Sequence, residues 1–184
     1  MGEQWFFSEQ CWQLIKPYLD AINIDLKFGT DYQYQKICHG RYQPVWNNIV
    51  QVNNSPVHSE ITNLIIPGIN DDQKSFLTLV KKIYQLNKFI PVHLSKYFPV
   101  EPNLLSVVTS DKQLINFYQQ ARKIGLPYIY LGNVNNEKYN STYCPHCLTT
   151  IITRIGYRTI NYLINNRCPR CLYSINIYCN EQTI

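Results

Sequence analysis

Long apolar runs are absent from this sequence. No stretch approaches the ~20 residues that cross a bilayer, so no transmembrane helix is expected. Glycine and proline are few, 7 and 10 in 184 residues, which excludes collagen-like and low-complexity architectures. Charge is sparse at 16%, too sparse for a chain kept unfolded by its own repulsion. The opening Met1-Gly2-Glu3-Gln4-Trp5-Phe6 has no basic segment followed by an apolar one, so no secretory leader is expected and the reducing cytoplasm is the expected compartment. Acidic residues number 12 against 17 basic ones, a net charge of +5. That excess is mild and argues against nucleic acid as the main partner. What the chain holds in quantity is apolar material, 45% of its residues, together with 15 tyrosines and 7 cysteines.

Up to residue 131 the periodicity alternates between helix and strand. Ser8 can cap a helix over Glu9–Tyr18, with Cys11, Leu14, Ile15 and Tyr18 at helical spacing. A strand over 21–27 follows, then helices over Thr30–Cys38 and Pro44–Val52, the second opened by its proline. The next strand, Val57–Ile66, is stopped by Pro67-Gly68. Asp71 and Asp72 introduce a helix over Gln73–Leu86, with Phe76, Leu79, Val80, Ile83 and Leu86 on one face. A strand over Ile90–Leu94 precedes the loop Pro99–Thr109. Ser110 and Asp111 then open a helix over Lys112–Ile124, striped by Leu114, Ile115, Phe117, Tyr118 and Ala121. Gly125 closes it, and Leu126–Leu131 forms a further strand. Such alternation predicts a parallel sheet within an α/β architecture, either an open sheet or part of a barrel. The Asn-rich 133–141 reads as a linker between a domain over 1–132 and a second over 142–184.

The second domain carries Cys144-Pro145-His146-Cys147 and Cys168-Pro169-Arg170-Cys171. Each Cys-x-x-Cys turn aims two thiolates at one point, and two such turns make a tetrahedral site for Zn²⁺. The hairpin of a zinc ribbon fits between them, Ile151–Tyr157 and Thr159–Ile164, turning at Gly156. An iron–sulfur site and a redox dithiol pair are the alternatives. Leu148 and Leu172 stand where such turns usually place glycine, which requires their backbones to stay clear of positive φ. His146 reads as a solvent-facing neighbour of the ligands, and Cys11, Cys38 and Cys179 as thiols without partners at metal spacing.

Polar residues recur on the strands of the first domain. Asp25 and Lys27 stand at a C-terminal strand end, where parallel α/β folds bind ligands. His58, Glu60 and Thr62 share one face of the next strand, with Ser59, Ile61 and Asn63 on the other, and His93 ends the third.

The segments Tyr18-Leu19-Asp20-Ala21-Ile22-Asn23-Ile24-Asp25-Leu26-Lys27 and Glu60-Ile61-Thr62-Asn63-Leu64-Ile65-Ile66-Pro67-Gly68-Ile69-Asn70-Asp71 resemble the second half of a radical S-adenosylmethionine (radical SAM) enzyme. Pro91-Val92-His93-Leu94-Ser95-Lys96-Tyr97-Phe98-Pro99, Tyr128-Ile129-Tyr130-Leu131-Gly132-Asn133-Val134 and the start of the ribbon continue the likeness in family order. The likeness is to the AmmeMemoRadiSam-system radical SAM enzyme, which is related to pyruvate formate-lyase activating enzymes. The resemblance implies the C-terminal half of a (β/α)₆ barrel, followed by the zinc ribbon. In that barrel Asp25, Lys27 and His93 would bind S-adenosylmethionine beside a [4Fe–4S] cluster. Many relatives place a His directly before the proline after the third strand, where this chain has Phe98.

The family's cluster motif, Cys-x-x-x-Cys-x-x-Cys, does not occur in these 184 residues. The expectation is therefore a radical SAM portion that is inactive alone. Its partner would be the missing N-terminal half of the barrel, and its substrate a protein or small molecule rather than a membrane. The alternative is a ribbon module that binds protein or nucleic acid.

Overall fold

The computed structural model describes residues 7–99 and 107–177. Cys179 and most of the loop expected over Pro99–Thr109 lie outside the described residues. The chain divides into two compact units, Met1–Val134 and Asn135–Ile184.

The first unit holds α1 (Glu9–Ile15), β1 (Ala21–Asp25), α2 (Asp31–Gln33), α3 (Tyr42–Asn53), β2 (His58–Ile65), α4 (Gln73–Asn87), β3 (Val92–Lys96), α5 (Asp111–Ile124) and β4 (Ile129–Gly132). The four strands form one parallel sheet in the order β1-β2-β3-β4. Among the described residues this sheet is open, with β1 and β4 at its edges. Burial alternates strictly along β2. Ser59, Ile61, Asn63 and Ile65 are buried, whereas His58, Glu60, Thr62 and Leu64 are only partly so. The apolar side is covered by helices. α4 contributes Phe76, Leu79, Val80 and Ile83, and α5 contributes Leu114, Phe117 and Ala121. Phe76 and Phe117 stack with centroids 4.1 Å apart. Each fully buried side chain of this size stabilises by roughly 1.5–3 kcal/mol.

The helix ends follow local chemistry. The side chains of Ser8, Thr30, Asp72 and Ser110 accept from the backbone N–H of Cys11, Gln33, Ser75 and Gln113. Gly125 takes φ 115 at the end of α5, and an added Cβ there would meet the Tyr84 ring at 2.9 Å.

Several boundaries depart from expectation. α1 stops at Ile15 and continues as a 3₁₀ turn over Lys16–Tyr18, because Pro17 cannot donate an N–H. It buries Trp12, not the expected stripe, and leaves Leu14 and Tyr18 exposed. The Phe7 ring stacks on Trp12 and anchors that face. β3 and β4 begin two and three residues later than expected, since Pro91 and Pro127 have no N–H for the ladder. α2 runs into a π-helical turn over Tyr34–Cys38, and α3 starts at Tyr42, placing Pro44 within its first turn.

The second unit holds α6 (Glu137–Asn140), β5 (Thr142–Tyr143), β6 (Thr150–Ile155) and β7 (Arg158–Asn161). The strands pair antiparallel in the order β5-β6-β7. Where a linker over 133–141 is expected, the structure has α6. Asn136 caps it and Tyr139 supplies the burial that an Asn-rich stretch does not advertise. The β6–β7 hairpin turns through Gly156 at φ 56, as expected. Among the described residues no helix is long and apolar enough to cross a membrane.

Candidate functional site

Because side chains alternate along a strand, burying Ile24 and Leu26 sends Asn23, Asp25 and Lys27 to the opposite, open face of the sheet. The register then sets one residue from each strand side by side: Asp25, Thr62, His93 and Tyr130. Lys27 Nζ lies 2.7 Å from Asp25 Oδ2, and Thr62 Oγ1 donates to Asn23 Oδ1 at 2.8 Å. The expectation that Asp25 and Lys27 share one side of the strand with His93 matches this geometry.

Glu60 lies beside this row, opposite Asn23. Its Oε1 is 3.3 Å from His58 Nε2 and its Oε2 2.7 Å from His93 Nε2. The His93 ring also stacks on Tyr130, with centroids 5.2 Å apart. Hydrogen bonds from His58 and then His93 hold the Glu60 carboxyl far below the usual carboxylate range. The open face thus presents two carboxylates, an ammonium and two imidazoles, and it can receive a small zwitterionic or polar ligand. Sequence reading placed His58 and Glu60 on one face but missed the Glu60–His93 bond. That bond depends on the β2–β3 register, which periodicity does not reveal.

In the second unit the two Cys-x-x-Cys turns are near copies. Cys144 N–H donates to Thr149 O at 2.8 Å and Cys168 N–H to Tyr173 O at 2.9 Å; Leu148 N–H to Cys144 O and Leu172 N–H to Cys168 O are each 3.0 Å. Contrary to expectation, Leu148 and Leu172 adopt φ of 61° and 59°. Closing each turn demands the left-handed conformation, at about 1–2 kcal/mol for a residue with a Cβ. All four thiols lie within 4.8 Å of one another, with Cys144 Sγ 3.6 Å from Cys171 Sγ and Cys147 Sγ 3.5 Å from Cys168 Sγ. Sulfurs ~2.3 Å from one ion stand ~3.8 Å apart at tetrahedral corners, so the spacing suits a single ion. Burial pushes the Cys144 thiol up. The Thr149 hydroxyl, then its amide, pull Cys147 down to about 6. His146 is exposed and stacks on Tyr173 instead of joining the four cysteines. Cys11 and Cys38 stand outside this group, as expected. Among the described residues these four cysteines are the one group of three or more His, Cys, Asp or Glu side chains positioned to bind a metal ion.

No protein-family model matches the chain. It is 30% identical, over an alignment 169 residues long that covers 86% of this chain, to an uncharacterized protein of Methanocaldococcus jannaschii. The chain spans about half the length of that relative, 49%. Its fold is similar to that of a domain of pyruvate-formate lyase-activating enzyme from Bacteroides vulgatus, with a TM-score of 0.57 at 17% identity. That similarity covers 68% of this chain and 75% of the other. The architecture is accordingly a mixed α/β fold with a parallel four-stranded sheet, like that activating-enzyme domain, joined in sequence to a unit whose four cysteines are positioned to bind a metal ion.

Proposed function

We propose that this chain is the C-terminal portion of a radical SAM enzyme of the activating-enzyme kind, one from an AmmeMemoRadiSam system. The open sheet face forms one side of the cofactor pocket in a barrel completed by other residues. The observation that carries this is the row Asp25–Thr62–His93–Tyr130, with Lys27 paired to Asp25 at the C-terminal strand ends. Open α/β sheets bind ligands outside those ends.

The residues suit S-adenosylmethionine. Its methionyl end carries an ammonium and a carboxylate, and the site offers a carboxylate and an ammonium 2.7 Å apart. Exchanging that internal pair for two pairs to the ligand conserves charge-assisted hydrogen bonds worth roughly 1.5–3 kcal/mol each. When bound beside a reduced iron–sulfur cluster, the cofactor supplies radical chemistry that side chains cannot. Asp25 and Lys27 would orient its polar end, and His93, steadied by Glu60 and Tyr130, would border the same concavity. The residues of this chain do not fit the radical cluster, because no Cys-x-x-x-Cys-x-x-Cys is present. Cluster ligands would come from residues outside these 184. The four ribbon cysteines are assigned to a structural zinc ion.

Anaerobic reconstitution of this chain with iron and sulfide, followed by reduction, is expected to give no 5′-deoxyadenosine from S-adenosylmethionine. Supplying a polypeptide that carries the three-cysteine motif on the preceding strands is expected to give it. Lys27→Ala should then weaken cofactor binding by about tenfold or more. Product from the chain alone would overturn this assignment.

A second reading concerns the ribbon. Residues 141–180 contain four arginines and no Asp or Glu. Tyr157 at the hairpin tip is fully exposed, and so is the neighbouring Arg158 to a large degree. Such a surface suits stacking on single-stranded nucleic acid. A fluorescent oligonucleotide bound with a steep salt dependence, and released by Tyr157→Ala, would favour it. No binding at low salt would dismiss it.

A further inference from the structure

We infer that Tyr34, Asn63 and Asn70 are positioning residues that clamp the backbone of Lys27 and so aim its ammonium across the open sheet face. The functional meaning of the clamp rests on the cofactor-site reading above.

Lys27 lies one residue beyond the last rung of the β1–β2 ladder, in which Leu26 N–H donates to Thr62 O at 2.9 Å. A strand end past its last rung ordinarily frays. Here both backbone polar groups of Lys27 are taken by side chains. Its N–H donates to Tyr34 Oη at 3.0 Å. Its carbonyl accepts from Asn63 Nδ2 at 3.1 Å and from Asn70 Nδ2 at 3.0 Å. Asn63 Nδ2 also donates to Leu26 O at 2.5 Å. Asn70 Nδ2 reaches Leu64 O at 2.8 Å, while its Oδ1 accepts from Ile66 N–H at 2.6 Å. One amide therefore ties the end of β1 to the end of β2.

All three side chains are shielded from water, with exposures of 0% for Tyr34, 4% for Asn63 and 8% for Asn70. Burial pushes the Tyr34 phenol up to about 12, so it stays neutral and its oxygen can accept. The loop that carries Asn70 does not need Lys27 in order to close. Gly68 N–H donates to Asp71 Oδ1 at 2.9 Å, and Ile69 and Asn70 N–H donate to Ile66 O at 3.1 and 3.2 Å. What the contacts with Lys27 add is a fixed Cα–Cβ direction. The backbone is held while the side chain meets Asp25 on the polar face. Displacing a ligand-facing charge by an ångström costs binding and rate, so locking its backbone has a functional consequence that loop closure alone lacks.

The test uses the full chain and S-adenosylmethionine in isothermal titration. Asn70→Asp removes both amide donors yet keeps the acceptor for Ile66 N–H. Tyr34→Phe removes the oxygen and keeps the ring. Each should weaken binding about fivefold, the equivalent of one hydrogen bond. The double variant Lys27→Ala/Asn70→Asp should bind no more weakly than Lys27→Ala alone, because Asn70 acts through Lys27. Additive losses would overturn the inference. Asn87→Ala, which loses a side-chain bond to Asn53 of 2.9 Å, is the control and should leave binding unchanged. The ¹⁵N resonance of the Lys27 ammonium gives a readout free of the cofactor. It should be sharp in the wild type and broaden in both Asn70→Asp and Tyr34→Phe. If the wild type binds no S-adenosylmethionine, the cofactor assignment fails, and the ammonium signal still decides the clamp. An unchanged signal in either folded variant would overturn it.

Discussion

The two units differ in how much apolar surface they bury and in the chemistry at their centres. In the first, helices α3, α4 and α5 bury a continuous apolar side of the sheet, with Val45, Ile49, Ile61, Ile65, Val80 and Leu114 almost wholly inaccessible. The buried cluster of the second is Cys144, Ile151, Cys168 and Ile175, and two of those four are thiols. Leu148, Tyr157, Ile164 and Leu172 remain exposed around it. So small a cluster, even with the buried Tyr139 and Ile152 of the same unit, offsets little of the entropy of ordering its chain, whereas metal–thiolate bonds can offset more. The same sequence thus contains one region stabilised by burial and another whose four cysteines are positioned to add stabilisation by ligation.

The largest effect expected from that contrast is metal dependence. Purified protein should contain about one equivalent of zinc, and chelation or Cys168→Ser should unfold the ribbon, since structural zinc contributes ~10–16 kcal/mol in small domains. Hydrogen exchange should show β6 and β7 losing protection while β1–β4 keep theirs. A metal-free ribbon that stays protected would remove the distinction. Next comes Phe117→Ala, which breaks the stack on Phe76. It should destabilise the first unit by about 3–5 kcal/mol in denaturant titration without changing zinc content. Gly125→Ala forces a Cβ into φ 115 against the Tyr84 ring, and about 1–2 kcal/mol of the same unit's stability should be lost.

A smaller effect concerns acid. The Glu60 carboxyl titrates lower when folded than unfolded. Its stabilisation is therefore present above the ordinary carboxylate pKa of about 4 and is lost as pH falls below it. Glu60 is partly exposed, with a side-chain exposure of 38%, and solvent screening limits the contribution to about 1 kcal/mol. Glu60→Gln should flatten the acid limb of the first unit's stability curve by that amount. The smallest effect is Leu148→Gly, which relieves a left-handed residue and should raise ribbon stability by under ~1 kcal/mol.

Much of this architecture was legible from local chemistry. Capping by Ser8, Asp72 and Ser110, the glycine stop at Gly125 and the alternation along β2 are decided within a few residues, and periodicity reports them. The Cys-x-x-Cys pairs show themselves by spacing alone. Contacts between residues far apart in sequence stayed hidden. The burial of Trp12 in place of Leu14 depends on where α1 docks. The bond from Glu60 to His93 spans 33 positions, and the one from Asn70 to Lys27 spans 43. Leu148 and Leu172 mislead for a related reason, because metal ligation can hold a conformation that intrinsic preference resists.

The open sheet face is proposed to receive S-adenosylmethionine. The most direct test of this is a titration of the isotopically labelled chain with the cofactor, followed by NMR. Shifts should concentrate at Asp25, Lys27, Thr62 and His93, saturate weakly, and disappear in Lys27→Ala while the ribbon resonances stay still. Shifts confined to the ribbon or to the helix-covered side of the sheet, or none at any cofactor concentration, would contradict it.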